Sequence, residues 1–429
     1  MQFTAFVIAL GVFVGSTLAA PLLENVEDAR NGRIEIVKRT GEDGEFKKGL
    51  LCESTEGVEE VRGYFAVGEN IHLWFWYFSA RSNSSTAPLV AWLNGGPGAS
   101  SMIGLFQNNG PCHFPANSSS SSPTRNEQSF NNVANMLYID QPAGAGFSYG
   151  TNDTEVNAIN STPRAVPYVY DFLQAFLAHG EFAHLAERKF GVATASYGGH
   201  YGPELVRYIQ ERNENGRGQT KINLAGLAIN NGLFDYGIQH PAMADYLLEK
   251  KVLDEEKYAE VMADYESECA PALHTCEETD TDADCANADD KCYSAVEGPL
   301  GDLQEYVYDV RGMAFAPPTT YIEWLGKNVD AVGNRTEYRS SSNAIFNRFI
   351  GTGDTARSMI PLLSEFVQTN VPTLIWAGDQ DVICNYIGVR KVAESVEYKG
   401  QAVFKQQDVK KWTVGGTEYG LFKTQDNLS

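Results

Sequence analysis

Apolar runs of strand length recur along the chain at Pro88–Leu93, Met136–Ile139, Phe190–Thr194, Ile222–Ile229 and Val371–Ala377, most followed closely by Gly, Asn or Asp. A strand that is apolar on successive residues has both faces covered, as in a sheet lying between helices. Upstream, Val61–Val67 and Ile71–Ala80 are rich in aromatic and β-branched residues and flank Gly68-Glu69-Asn70, which predicts a hairpin. Between the runs the period changes. Val169, Phe172, Leu173, Phe176 and Leu177 fall on one helical face with Pro167 near its start, and Leu205, Tyr208 and Ile209 mark a second stripe. Strands alternating with helices predict a mostly parallel α/β sheet. From about Asp235 to Arg348 the pattern turns helical, acidic and cysteine-bearing before strand character returns at Val371. We read a core over 51–234 and 349–429, with 235–348 inserted as a cap. No internal repeat is visible, and the one low-complexity patch is Ser118–Ser122.

The first residues bear on the compartment. An apolar run from Phe6 to Val14, followed by small residues at Ser16–Ala20, reads as a secretory signal over 1–20 and is too short to span a bilayer. Residues 21–50 are polar, carry the dibasic Lys38-Arg39, and read as a pro-segment or lead-in arm. Acceptor sequons at Asn83, Asn117, Asn152, Asn160 and Asn334, with a sixth at Asn427, lead us to expect a glycoprotein, secreted or vacuolar. The balance of 33 basic against 55 acidic residues gives a net charge of −22, which repels phosphate backbones and anionic lipid. Nucleic acid and membrane are therefore not expected as partners.

Seven cysteines in an oxidising compartment leave one unpaired. We expect Cys269–Cys292 nested around Cys276–Cys285, Cys52 with Cys112, and Cys384 free. Spacing alone leaves all fifteen pairings of six cysteines open. A metal held by the 269–292 cluster is the alternative, with His274 the only histidine close in sequence.

Two segments carry chemistry. Thr194-Ala195-Ser196-Tyr197-Gly198-Gly199 lies between a predicted strand and a predicted helix, where a serine on a tight turn is lifted above the sheet. Alone it is equally a serine capping a helix. Trp92-Leu93-Asn94-Gly95-Gly96-Pro97-Gly98-Ala99-Ser100-Ser101 supplies side-chain-free backbone at a strand end, where N–H groups can approach a developing oxyanion.

Together these segments resemble the serine carboxypeptidases. Three further stretches agree and stand in the same order: Ile139-Asp140-Gln141-Pro142-Ala143-Gly144-Ala145-Gly146-Phe147-Ser148-Tyr149, Asn230-Asn231-Gly232, and Ala377-Gly378-Asp379-Gln380-Asp381-Val382-Ile383-Cys384-Asn385. The fungal branch is the nearest in pattern, from Gly104-Leu105-Phe106-Gln107, Gly110-Pro111-Cys112 and Gly199-His200-Tyr201-Gly202-Pro203-Glu204. The resemblance spans roughly 50–425 and implies an α/β-hydrolase fold that releases C-terminal amino acids from peptides through an acyl-enzyme, with no cofactor and no metal. It implies Ser196 as nucleophile, Asp381 as the acid that orients a histidine, and the N–H groups of Gly96 and Tyr197 as oxyanion hole. Asn94 and Gly95 would bind the substrate carboxylate, and Cys384 would be an unpaired thiol beside the pocket.

The sequence also departs from the family. On this fold the base follows the acid, yet all seven histidines precede Asp381. His200, four residues after Ser196, points along its helix and is not read as the base. The tail, a hairpin over Lys411–Lys423 with Asn427-Leu428-Ser429 leading toward another strand, stops before the Gly-His loop and final helix of the family. We read a truncation, and losing a triad base costs on the order of 10⁶ in turnover. Ala195 and Asn108 stand where the family has carboxylic acids, and Ala99 where it has cysteine. An impaired peptide-binding pseudoenzyme and a carboxypeptidase-like acyltransferase are the competing expectations.

Overall fold

The computed structural model describes residues 46–115, 122–216, 219–328, 338–369 and 371–429, all within the unit Asp43–Ser429. The signal segment, Lys38-Arg39 and the sequons at Asn117 and Asn334 lie outside the described residues.

Strands β1 (Lys47–Lys48), β2 (Glu60–Ala66), β3 (Ile71–Phe78), β4 (Leu89–Asn94), β5 (Asn135–Ile139), β6 (Phe190–Ala195), β7 (Leu224–Asn230) and β8 (Thr373–Trp376) lie side by side in the order β1-β2-β3-β5-β4-β6-β7-β8. Pairing is antiparallel from β1 through β3 to β5 and parallel from β5 to β8. The predicted hairpin and all five runs are present. The sheet begins inside the segment read as a lead-in arm, because β1 pairs with β2 and a Cβ on Gly63 would crowd the Phe46 ring.

Alternation along the strands sorts two cores onto opposite faces. Leu73, Phe75 and Tyr77 of β3 join one cluster, and Trp74, Trp76 and Phe78 the other. The first face is covered by α1 (Thr162–Ala178) and α2 (Gly198–Asn215), with the predicted Val169, Phe172, Leu173, Phe176 and Leu177 buried on it. Pro163 occupies the first turn of α1, so Pro167 lies inside the helix and not at its start. Truncating Phe172, fully buried between sheet and helix, costs about 3–5 kcal/mol.

Residues between β7 and β8 form helices α3 (Tyr236–Glu249), α4 (Glu255–Asp264), α5 (Ala270–Thr279), α6 (Asp282–Cys292), α7 (Thr320–Lys327) and α8 (Asn343–Ile350), then α9 (Ile360–Val367). A third cluster, including Met243, Leu247 and Val261, gives this insertion apolar packing of its own. Cys269–Cys292 and Cys276–Cys285 are bridged within it, Cys52 pairs with Cys112, and Cys384 is free. No helix among the described residues is long and apolar enough to cross a membrane.

After β8 come α10 (Tyr386–Ser395) and the hairpin β9 (Lys410–Val414)–β10 (Thr417–Phe422), turned by Gly415 and Gly416 at φ 59° and 86°. The last residues then run beside β8. Thr373 N donates to Asn427 O at 2.7 Å, Ile375 N to Ser429 O at 2.9 Å, and Leu428 makes a parallel bridge to Thr373. Residues 427–429 thus run parallel along the edge of β8.

Candidate active site

The chain leaves β4 toward β5 on one side and leaves β6 toward β7 on the other, although β4 and β6 are neighbours. Connections that part in this way open a crevice beyond the carboxyl ends of the two strands. Register makes those ends flush: Asn94 pairs with Ala195, Ala195 with Asn230, and Asn230 with Trp376. The loops that follow begin at Gly95, Ser196, Asn231 and Ala377, and the loop after β5 begins at Asp140 beside them, so all five motif stretches emerge along one edge.

Ser196 turns the chain from β6 into α2 at φ 60°, a left-handed conformation rare for a side chain with a Cβ. The turn is pinned by Ser196 N donating to Asn230 O at 3.0 Å and by Gly199 N and Leu233 N donating to Ser196 O, both at 2.9 Å. Two glycines let it close: a Cβ at 198 would overlap Thr194, and one at 199 would overlap the Leu233 backbone. The N–H of Tyr197 and that of Gly96 find no acceptor among the described residues. Gly95 lies against the first of them, since a Cβ there would overlap Tyr197 N and sit 2.7 Å from Ala195 O. The edge therefore presents a raised hydroxyl beside free amide donors, an arrangement suited to acyl chemistry.

Asn94 is held by its oxygen. Oδ1 accepts from Trp92 Nε1 at 2.7 Å and from Gly104 N at 3.0 Å, leaving the Nδ2 donors unengaged among the described residues. The fifth motif stretch braces this loop. Asp140 Oδ1 accepts from Ser100 Oγ at 2.7 Å and Ser101 N at 2.9 Å, while Oδ2 accepts from Phe147 N at 2.9 Å. Burial with no cation at hand pushes the Asp140 carboxyl up to about 6.

Asp381 follows β8, and its Oδ1 accepts from Cys384 N at 2.6 Å. Burial first, and the nearby Asp309 charge in addition, push its carboxyl up to about 7 despite that donor. Cys384 is buried, which pushes its thiol well up, and the Asp381 charge adds to this. Asn231, at φ 40°, ties this loop to the end of β7: its Nδ2 donates to Cys384 O at 3.0 Å and its Oδ1 accepts from Gly378 N at 3.1 Å.

No hydrogen bond among the described residues joins any of the seven histidines to Ser196 or Asp381. His200 is buried, its ring stacked on Tyr197 at 4.5 Å, with its nitrogens facing Leu233 O at 2.8 Å and Arg357 O at 3.2 Å. In the insertion, the histidine beside the cysteines in space is His240 and not His274, which is exposed and faces Glu278. The ligand atoms of His240, Cys269 and Cys292 lie within 4.8 Å of one another, but the two sulfurs are bonded to each other and offer no thiolate to a metal.

All three departures from the family have visible surroundings: Ala99 is half-buried, donates its N–H to Gly95 O at 3.1 Å and bridges to Ser341. Ala195 is buried in the second core cluster, and Asn108 is exposed in the helical turn Leu105–Asn109. Among the sequons, Asn83 and Asn152 are exposed, Asn160 is half-buried, and Asn427 turns its Nδ2 onto Val367 O at 3.2 Å. Sequence reasoning gave no part to Asn231 or Asp140, although both stand inside quoted motifs. It passed over Asp354, to which Tyr197 Oη donates.

The profile of the serine carboxypeptidases matches residues 52–429. Carboxypeptidase S1 of Penicillium janthinellum is 44% identical over 396 residues, which cover 89% of this chain and 91% of that protein. Carboxypeptidase Y of Schizosaccharomyces pombe is 32% identical over 86% of this chain but only 38% of its own length. Among solved structures, a prohormone-processing carboxypeptidase of Saccharomyces cerevisiae superposes with a TM-score of 0.73 at 21% identity, covering 89% of both chains, and so shares the fold. Ordered motifs, sheet order and these similarities lead to one conclusion: the chain belongs to the serine carboxypeptidase family.

Proposed function

We propose that this protein is a serine-type carboxypeptidase of the secretory pathway that removes single residues from peptide C-termini through an acyl-enzyme. In this reading Ser196 Oγ attacks the last peptide carbonyl, and the N–H groups of Gly96 and Tyr197 take the charge that develops on its oxygen. Asn94 Nδ2 and the Gly95 backbone bind the terminal carboxylate, Asp381 orients the base, and Cys384 backs the pocket. The observation that supports the reading is the close approach of Gly95 to Tyr197 N beside a left-handed Ser196, so that amide N–H groups and the serine share one edge.

The base must be an imidazole lying between Ser196 and Asp381. None of the seven histidines is hydrogen-bonded to Ser196 or Asp381 among the described residues, so the reading assigns the base to none of them. Peptide C-termini are the substrate class, the compartment is secretory or vacuolar, and glycans sit on Asn83 and Asn152.

The test compares an N-blocked dipeptide with its C-terminal amide. Release of the last residue from the free acid alone supports the reading. Binding of the acid with no release by the natural full-length protein supports a pseudoenzyme instead. Acyl transfer from glucose esters is the second reading, compatible with Ala195 and Asn108, which stand where the resemblance implies carboxylic acids. A single lost hydrogen bond to a charged group is worth about 1.5–3 kcal/mol.

A further inference from the structure

The segment Thr352–Arg357, which joins α8 to α9, touches both the helical insertion and the nucleophile turn. On one side it rests on α6. A Cβ on Gly353, at φ 63°, would overlap the backbone of Cys285 and Ala286, and Thr355 Oγ1 donates to Asp289 Oδ2 at 2.7 Å. Arg357 reaches the start of α6, donating to Asp280 Oδ1 at 2.8 Å in the turn before it and to Asp282 Oδ1 at 3.1 Å at its first residue. On the other side Asp354, only 1% exposed, gathers three donors on a single oxygen. Its Oδ2 accepts from Thr162 N at 2.9 Å, from Thr162 Oγ1 at 2.5 Å and from Tyr197 Oη.

We infer that Asp354 is a positioning residue for the Tyr197 N–H, holding that donor in line with the oxyanion from the far end of the same side chain. The inference rests on the reading of Ser196 as nucleophile. Tyr197 has few ways to move. Its ring is stacked on His200 at 4.5 Å and met edge-on by Tyr201 at 5.2 Å and Phe349 at 6.0 Å. With the ring clamped and the hydroxyl anchored, the two side-chain torsions are fixed, and the backbone N–H with them. The α5–α6 pair, joined by the Cys276–Cys285 bridge, in turn holds Asp354 through Gly353 and Thr355. Deleting an oxyanion donor costs about 10²–10³ in turnover, so misaligning one costs a part of that.

The test uses Tyr197→Phe, Asp354→Asn, the double variant and Thr162→Val in the natural full-length protein. The readouts are phosphonylation of Ser196 by an alkyl fluorophosphonate and steady-state kinetics on a blocked dipeptide. Tyr197→Phe removes one hydroxyl and leaves the Thr162–Asp354 bonds, so it tests the idea even where Asp354→Asn fails to fold. We expect each single variant to lower kcat and phosphonylation about 10-fold with KM within about twofold, and the double variant to lose no more than either. Thr162→Val, which removes a different donor from the same oxygen, stays within about twofold in both. Unchanged rates in Tyr197→Phe, or an equal loss in Thr162→Val, overturn the inference while the unsubstituted protein still labels. Failure of the unsubstituted protein to label at Ser196 overturns the nucleophile reading and this inference together.

Discussion

Asn231 donates its side-chain amide to the carbonyl oxygen of Cys384 at 3.0 Å, across 153 residues of sequence, and so fastens the end of β7 to the loop that carries Asp381. The same side chain accepts from Gly378 N, while its neighbour Asn230 accepts from Ser196 N. One Asn-Asn pair therefore links Ser196 to the loop of Asp381. Asparagine suits the site because it tolerates the left-handed φ of 40° and offers both a donor and an acceptor.

Replacing Asn231 separates these contributions. Asn231→Gly keeps the backbone conformation but loses two hydrogen bonds of about 1 kcal/mol each, so unfolding free energy falls by about 2 kcal/mol. Asn231→Ala adds left-handed strain of about 1 kcal/mol or more. Denaturant titration of the two variants checks the order, wild type above Gly above Ala.

Ser196 pays for its exposure in strain. A left-handed non-glycine residue costs about 1–3 kcal/mol, and glycine returns about 0.5–1 kcal/mol of that as lost backbone entropy. Ser196→Gly is therefore expected to be inactive yet more stable by about 1 kcal/mol, as read by its thermal midpoint. A destabilised Ser196→Gly contradicts the strained turn.

Asp381 makes stability depend on pH in a stated direction. Its folded carboxyl lies at about 7 against an unfolded value of 3.8, so between these the folded state holds a proton that the unfolded state has lost. Stability contributed by this group falls as pH rises from about 4 to about 7 and is level beyond. Asp381→Asn keeps the acceptor for Cys384 N and removes the charge. It is expected to gain on the wild type across that window, measured as the difference in urea midpoint at pH 5 and pH 8.

Cys384 is free, buried and raised in pKa, so iodoacetamide is expected to leave the folded protein unmodified. Unfolding without reductant exposes one thiol per chain, against six cysteines held in three bridges. A thiol count on folded and unfolded protein, by mass, gives zero and one.

Much of this site is legible in the sequence because strands and tight turns are local. The five apolar runs become strands, and glycines at 95 and 199 mark where backbones must touch. What escapes is held by distance. Asp354 lies 157 residues from Tyr197, in a short turn with no apolar period, and nothing near it in sequence shows its partner. Pro167 misled in a milder way: a proline near a helix start predicts the boundary, but here Pro163 occupies the first turn and Pro167 sits within the helix. His274 misled similarly, since sequence nearness favoured it while the fold brings His240 to the cysteines.

The central claim is that Ser196 is an acylating nucleophile. Its most direct test is mass spectrometry of the natural full-length protein after reaction with an alkyl fluorophosphonate. The claim predicts one adduct per chain, on the peptide containing Ser196, absent from Ser196→Ala and blocked by a competing peptide with a free C-terminus. An unlabelled Ser196 in folded protein, or an adduct on another residue, contradicts it.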